Sequence, residues 1–167
     1  MNESYAEAAV KKQPDAKTFL TKAALWVAIA VLFVGSFIIN NQILLLLAAV
    51  ALVCGIYFIP LLDLEYEVIF CDGQFDFDKI MGGNKRKTML KLDLENAEIL
   101  APVGSHSLDS YNNQRLTVKN YTSGKKDAKI YCLVARGGNV MYKVLFEPNE
   151  KMIKCAKDKS PRKVVEY

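Results

Sequence analysis

Lys85-Arg86-Lys87, with Lys79 and Lys91 close by, is the densest group of like-charged side chains in the sequence. Clustered ammonium and guanidinium groups can hold anionic lipid headgroups, at about 1 kcal/mol per basic residue near such a surface, or the acidic segment of a protein partner. The same five side chains also have a plainer use. Asp76 and Asp78 alternate along the preceding apolar run, and across a hairpin they would pair with Arg86 or Lys87. The spacing thus predicts either a contact surface or a set of cross-strand ion pairs, and the ion pairs are the simpler expectation.

No other group of residues forms a convincing reactive set. His106 stands in GSHSLDS beside Ser105, Ser107 and Asp109. Triad members are brought together from different elements, and neighbours in one loop rarely hold the geometry that general-base catalysis needs. The sequence contains no G-x-S-x-G, H-E-x-x-H or Walker loop. Cys54, Cys71, Cys132 and Cys155 make no C-x-x-C pair, so no metal site is expected. Gly82-Gly83 and Gly137-Gly138 read as turn glycines, since neither precedes a helix whose N-terminus would receive a phosphate. The expectation is a chain with no catalytic residues, no cofactor and no evident small-molecule substrate. A net charge of +4 is too small for the strongly basic face that nucleic acid requires.

The elements that position the basic cluster begin with two apolar runs, Ala23–Ile39 and Ile43–Leu62, joined by Asn40-Asn41-Gln42. None of these forty positions is Asp, Glu, Lys, Arg or His. At 1.5 Å per residue, roughly 17–25 apolar residues cross a hydrocarbon core about 30 Å thick, and both runs qualify. Buried core helices keep a polar stripe, and these have none. The runs therefore predict a transmembrane helical hairpin over residues 23–62, with Lys22 as an interfacial anchor whose stem lies along apolar surface. Lys11, Lys12, Lys17 and Lys22 precede it and the connecting turn is uncharged. The positive-inside rule then gives a multi-pass protein of the cell membrane with both termini cytoplasmic. In that compartment Cys71, Cys132 and Cys155 stay free thiols.

Residues 1–22 are mixed, polar and interrupted by Pro14, and predict a flexible N-terminal arm. After Leu62 the apolar period becomes two. LEYEVIFC and QFDFDKI flank Asp72-Gly73, a strong hairpin signal because a type I′ turn needs positive φ at both central residues. Further strands are expected over 85–94, 97–102, 114–121, 128–136 and 140–147, with a polar loop over 103–113. Tyr66, Phe70, Phe75, Phe77, Tyr131, Tyr142 and Phe146 lie at strand spacing and predict the core. Met152, Ile153, Cys155 and Ala156 give a helix after Pro148 its apolar stripe.

A two-helix hairpin, seven strands joined by turns and one amphipathic helix resemble the bacterial pleckstrin-homology-like (PH-like) membrane proteins. The segments LEYEVIFCDGQFDFDKIMGGNKRK and FEPNEKMIKCAKDKSPRKV are similar to an uncharacterised family of Gram-positive membrane proteins. The resemblance implies an α+β membrane protein: a transmembrane hairpin, then a seven-stranded antiparallel PH-like barrel or sandwich over 63–167 with a C-terminal helix. It implies no activity. The partners expected are the bilayer and either a protein or a second copy of the chain. The loop between the first two strands, where phosphoinositide-binding PH domains collect basic residues, is Asp72-Gly73 here, so eukaryotic-type phosphoinositide binding is not expected.

Overall fold

The computed structural model describes residues 4–112 and 114–166. Its described elements fall into two compact units. One is a β-unit, built from the stretch up to Lys12, from Glu65–Ile80 and from Arg86 onward. The other holds the helical hairpin, Gln13–Leu64, together with the turn Met81–Lys85.

In the hairpin unit α1 spans Ala16–Ile39 and α2 spans Gln42–Phe58, followed by a 3₁₀ turn over Pro60–Leu62. α1, and α2 together with that turn (Gln42–Leu62), are long and apolar enough to cross a membrane by length and composition. The three polar residues between them supply the turn. Asn40 takes the left-handed conformation at the end of α1 (φ 50°), and Asn41 Oδ1 accepts from the N–H groups of Ile43 and Leu44 at the start of α2. The helices approach closely where α2 is small: a Cβ on Gly55 would stand 2.7 Å from Ile29 Cδ1. Gly55 thus serves packing within the hairpin.

The N-terminal arm, expected to be flexible, is a strand. β1 (Tyr5–Lys11) pairs antiparallel with β2 (Leu64–Cys71), Ala6 opposite Phe70 and Lys11 opposite Glu65. Residues facing one another across an antiparallel pair point to the same side. Ala6, Ala8 and Val10 therefore share the core face of Phe70, Val68 and Tyr66. Alanine is a weak strand former, so this alternation carries little local signal; the pairing partner decides it.

The β-unit accordingly has eight described strands where seven were expected, and of the expected barrel or sandwich no closed barrel forms: the strands make two open four-stranded sheets. The first has the order β1-β2-β3-β4, with β3 Gln74–Met81 and β4 Lys85–Asp93. The second has the order β5-β7-β8-β6, with β5 Ala97–Pro102, β6 Thr117–Tyr121, β7 Tyr131–Gly137 and β8 Val140–Phe146. It is not wholly antiparallel, because β6 runs parallel to β8. The expected loop between β5 and β6 holds a 3₁₀ turn at His106–Leu108 and the single-turn helix α3 (Asp109–Asn112). The predicted Asp-Gly turn is present, with φ 47° at Asp72 and 102° at Gly73.

Aromatic rings join the sheets. Phe75 and Phe77 of β3 meet Phe146 of β8 at centroid distances of 5.7 and 5.5 Å, and Phe77 stacks on Tyr121 of β6 at 5.1 Å. Phe70, Phe75, Phe77 and Phe146 are fully buried. The C-terminal helix α4 (Glu150–Lys159) adds Met152, Ile153 and Ala156 to this core. Asn149 fixes its start, with Oδ1 accepting from Met152 N–H at 2.8 Å and Nδ2 donating to the Glu7 carbonyl of β1 at 2.7 Å. Phe77→Ala is expected to cost about 3–5 kcal/mol in denaturant unfolding, since several rings lose their partner and a cavity remains. Deleting residues 4–11 is expected to lower the unfolding midpoint as well, because it uncovers the β2 edge and one wall of the core.

Candidate docking surface

The basic cluster on β3 and β4 divides according to what faces each side chain. On the side of the first sheet away from the core, Arg86 reaches two carboxylates. Its Nη2 lies 2.5 Å from Glu67 Oε2, and its Nε lies 3.8 Å from Asp78 Oδ2. The Glu67 contact is an ion pair rather than an aligned hydrogen bond, since Glu67 Oε2 and Asp78 Oδ1 are both buried without a hydrogen-bond partner among the described residues. The Asp78 side chain is only 6% exposed, and Arg86 is 53% exposed. Two carboxylates withdrawn from water are tolerated because a guanidinium stands between them. Lys91 Nζ bonds Asp76 Oδ2 at 2.7 Å. That hydrogen bond and the Asp76 charge raise the Lys91 pKa above the usual lysine value.

Arg86 is therefore held by Asp78 of β3, as the cross-strand alternative predicts, with Glu67 joining from β2, whereas Asp76 takes Lys91 and not Lys87. Lys79, Lys85 and Lys87 make no ion pair among the described residues, and Lys85 and Lys87 are exposed. These three are the part of the predicted set that no carboxylate holds among the described residues.

Within the hairpin unit the turn that carries Lys85 is fastened to the exit of the helices. The Gly82 N–H donates to the Asp63 carbonyl at 3.0 Å. Gly82 has φ 61°, and a Cβ there would lie 3.0 Å from Leu61 Cδ2 and 3.4 Å from Leu61 Cα. Only glycine satisfies both the backbone angle and the close approach. Lys22, the expected interfacial anchor, bonds Asp63 Oδ1 at 2.6 Å through its Nζ. One ion pair thus ties the chain entering the hairpin to the chain leaving it.

Elsewhere some polar contacts stay within one turn and others join distant segments. His106 Nδ1 stands 3.3 Å from Asp109 Oδ2, with both side chains open to solvent. Ser105 caps the same turn through the Ser107 N–H. Lys159 Nζ bonds Asp72 Oδ1 at 2.8 Å, joining the end of α4 to the β2–β3 turn. This contact lowers the Asp72 pKa, through the hydrogen bond and then the charge, and raises that of Lys159. Burial pushes the Cys132 thiol up.

A family model described as a bacterial PH-like domain (DUF6106) matches residues 2–166. The chain belongs to this bacterial PH-like family. The match begins before β1 and runs past α4, so the hairpin lies inside the matched unit and not ahead of it. No curated protein and no solved structure matches the chain.

Arg86→Gln leaves two buried carboxylates without their cation and is expected to cost about 1–3 kcal/mol in denaturant unfolding. Lys87→Gln is expected to stay within about 0.5 kcal/mol, as an exposed substitution away from such pairs. The Asp72–Lys159 pair gives a pH signature. A carboxylate whose folded pKa is depressed contributes stability above its unfolded pKa and loses it as pH falls through the folded value. NMR titration should place Asp72 below the usual carboxylate range in the native chain and return it to that range in Lys159→Gln.

Proposed function

We propose that the chain is a non-enzymatic, membrane-anchored docking module whose PH-like β-unit lies on the cytoplasmic face. The observation that carries this reading is the insertion of the hairpin between β1 and β2, two strands that pair directly with one another. A segment that leaves β1 at Lys11 and returns at Glu65, directly opposite, makes an even number of crossings. The outward apolar side chains of α1 and α2 support the bilayer as their solvent. Ile38, Ile43, Leu46 and Tyr57 are among many large side chains left uncovered, far more than a water-soluble surface carries. Lys11, Lys12, Lys17 and Lys22, all ahead of the uncharged run that begins at Ala23, favour the cytoplasm for both flanks.

Docking is assigned to Lys79, Lys85 and Lys87. The fastening of the Lys85 turn to Asp63 at the base of the hairpin supports an anionic inner leaflet as a surface that Lys85 meets. A second reading makes the chain an accessory subunit of a larger membrane complex, recognised through the hairpin. A shallow apolar groove of about 280 Å³ lined by Trp26, Ile29, Phe33 and Leu52 favours it, since small grooves of this kind accept a neighbouring helix.

Topology is tested with the native cysteines, because Cys71 is exposed on the β-unit and Cys132 is buried. A membrane-impermeant maleimide is expected to label Cys71 in inverted vesicles and not in intact cells, and to spare Cys132 in both. Labelling of Cys71 in intact cells would overturn the cytoplasmic placement. Release of the chain from membranes by alkaline carbonate would overturn the anchor. For the lipid contact, full-length protein in phosphatidylglycerol nanodiscs should show slower amide exchange over the Met81–Lys85 turn than in phosphatidylcholine nanodiscs. Changing Lys79, Lys85 and Lys87 together to Gln should abolish that difference, while Arg86 is left in place because it stabilises the sheet.

A further inference from the structure

The net charge of the chain is concentrated in one stretch. Residues 114–129 contain five basic side chains, Arg115, Lys119, Lys125, Lys126 and Lys129, against the single acid Asp127. The difference of +4 equals the net charge of the whole protein, so the remaining sequence is balanced. None of the five forms an ion pair among the described residues, and all five are exposed.

This stretch contains an open sheet edge. β6 ends the second sheet and, among the described residues, is paired on one side only, with β8. Thr117, Val118, Lys119 and Asn120 are all exposed, Val118 at 58%. Two of the other edges are occupied. The tail bonds β5 through Leu100 N–H to the Lys163 carbonyl and Val165 N–H to the Leu100 carbonyl, each 2.8 Å. The β1 edge meets α4 through Asn149. β4 carries lysines and Arg86, the usual protection of an unpaired edge.

β6 is also held in shape. Asn120 Oδ1 accepts from Thr122 N–H at 2.9 Å and from its hydroxyl at 2.8 Å. Glu147 Oε1 accepts from Ser123 N–H at 2.6 Å and from its Oγ at 2.8 Å. An edge fixed in this way lets a ligand strand add without the entropy cost of ordering its template. Self-pairing between two copies would bring their positive stretches together, which like-charge repulsion disfavours.

We propose that the outer edge of β6, with Arg115, Lys119, Lys125 and Lys126, docks an acidic, extended peptide segment of a partner protein, which joins the second sheet as an added strand. The inference rests on the docking reading above only in that it supplies the partner's chemistry, and it uses a different surface. A bare anionic membrane would use the charges and leave the unpaired backbone groups unanswered; the strand edge favours the peptide.

The test uses full-length protein in phosphatidylcholine nanodiscs and a fluorescein-labelled peptide of alternating glutamate and valine, with a lysine–valine peptide as control. Anisotropy should report binding of the acidic peptide only, weakening as salt rises. Combined K119E, K125E and K126E should weaken it by about tenfold or more, and the Lys79, Lys85 and Lys87 to Gln variant should leave it unchanged. Amide exchange over 117–121 should slow when the peptide binds, which a purely electrostatic contact would not produce. Equal affinity in the charge-reversed protein, or binding without that protection, overturns the proposal. So does protection of 117–121 by phosphatidylglycerol nanodiscs with no peptide binding, which would assign the stretch to the membrane. Failure of these measurements leaves cysteine topology intact, and failure of the topology leaves the peptide result readable.

Discussion

The pairing of β1 with β2 is the contact on which the rest of this structure depends. The two strands are separated in the chain by the whole hairpin, yet they meet residue for residue from Tyr5–Cys71 to Lys11–Glu65. Closing a loop of that length costs entropy that grows only slowly with its size. The cost is smaller still when the loop is itself a hairpin whose ends return together. Asn40 and Asn41 reverse the chain at one end, and the Lys22–Asp63 ion pair joins it at the other. Both flanks of the hairpin are thus neighbouring strands of one sheet.

Once β1 is in place, its small side chains explain the position of α4. Ala6 is buried in the same core as Met152 and Ala156, and alanine at that point leaves room for a helix to approach. Asn149 makes the joint polar as well as apolar, capping α4 with one side-chain atom and binding the β1 carbonyl with another. The phenylalanines of β2, β3 and β8 then fill the space between the sheets, with ring geometries that are tilted, edge-to-face or stacked.

Charge is used in two distinct ways. On the outer face of the first sheet it is spent internally, with Glu67, Asp78 and Arg86 compensating one another and Asp76 holding Lys91. This is why a count of basic residues along β3 and β4 overstates the surface offered to a partner. Around β6 the excess is uncompensated, although no single run there is as dense as Lys85-Arg86-Lys87. Density of charge in the sequence and availability of charge in the fold are different quantities.

Much of this was legible before folding was considered. Two uncharged runs of spanning length and three polar residues between them determine α1, α2 and their turn. Period-two alternation around Asp72-Gly73 determines β2, β3 and the hairpin joining them, and the stripe Met152, Ile153, Cys155 and Ala156 determines α4. Each of these is set by the order of side chains within one segment. The conversion of Tyr5–Lys11 from arm to strand, the parallel seat of β6 beside β8, the addition of Glu67 as a second partner of Arg86 and the pairing of Asp76 with Lys91 belong to the tertiary structure alone. They depend on which distant segments come to lie side by side. A strand of alanines, or one of five residues, has too little pattern of its own to announce its neighbour, so long-range packing makes that choice.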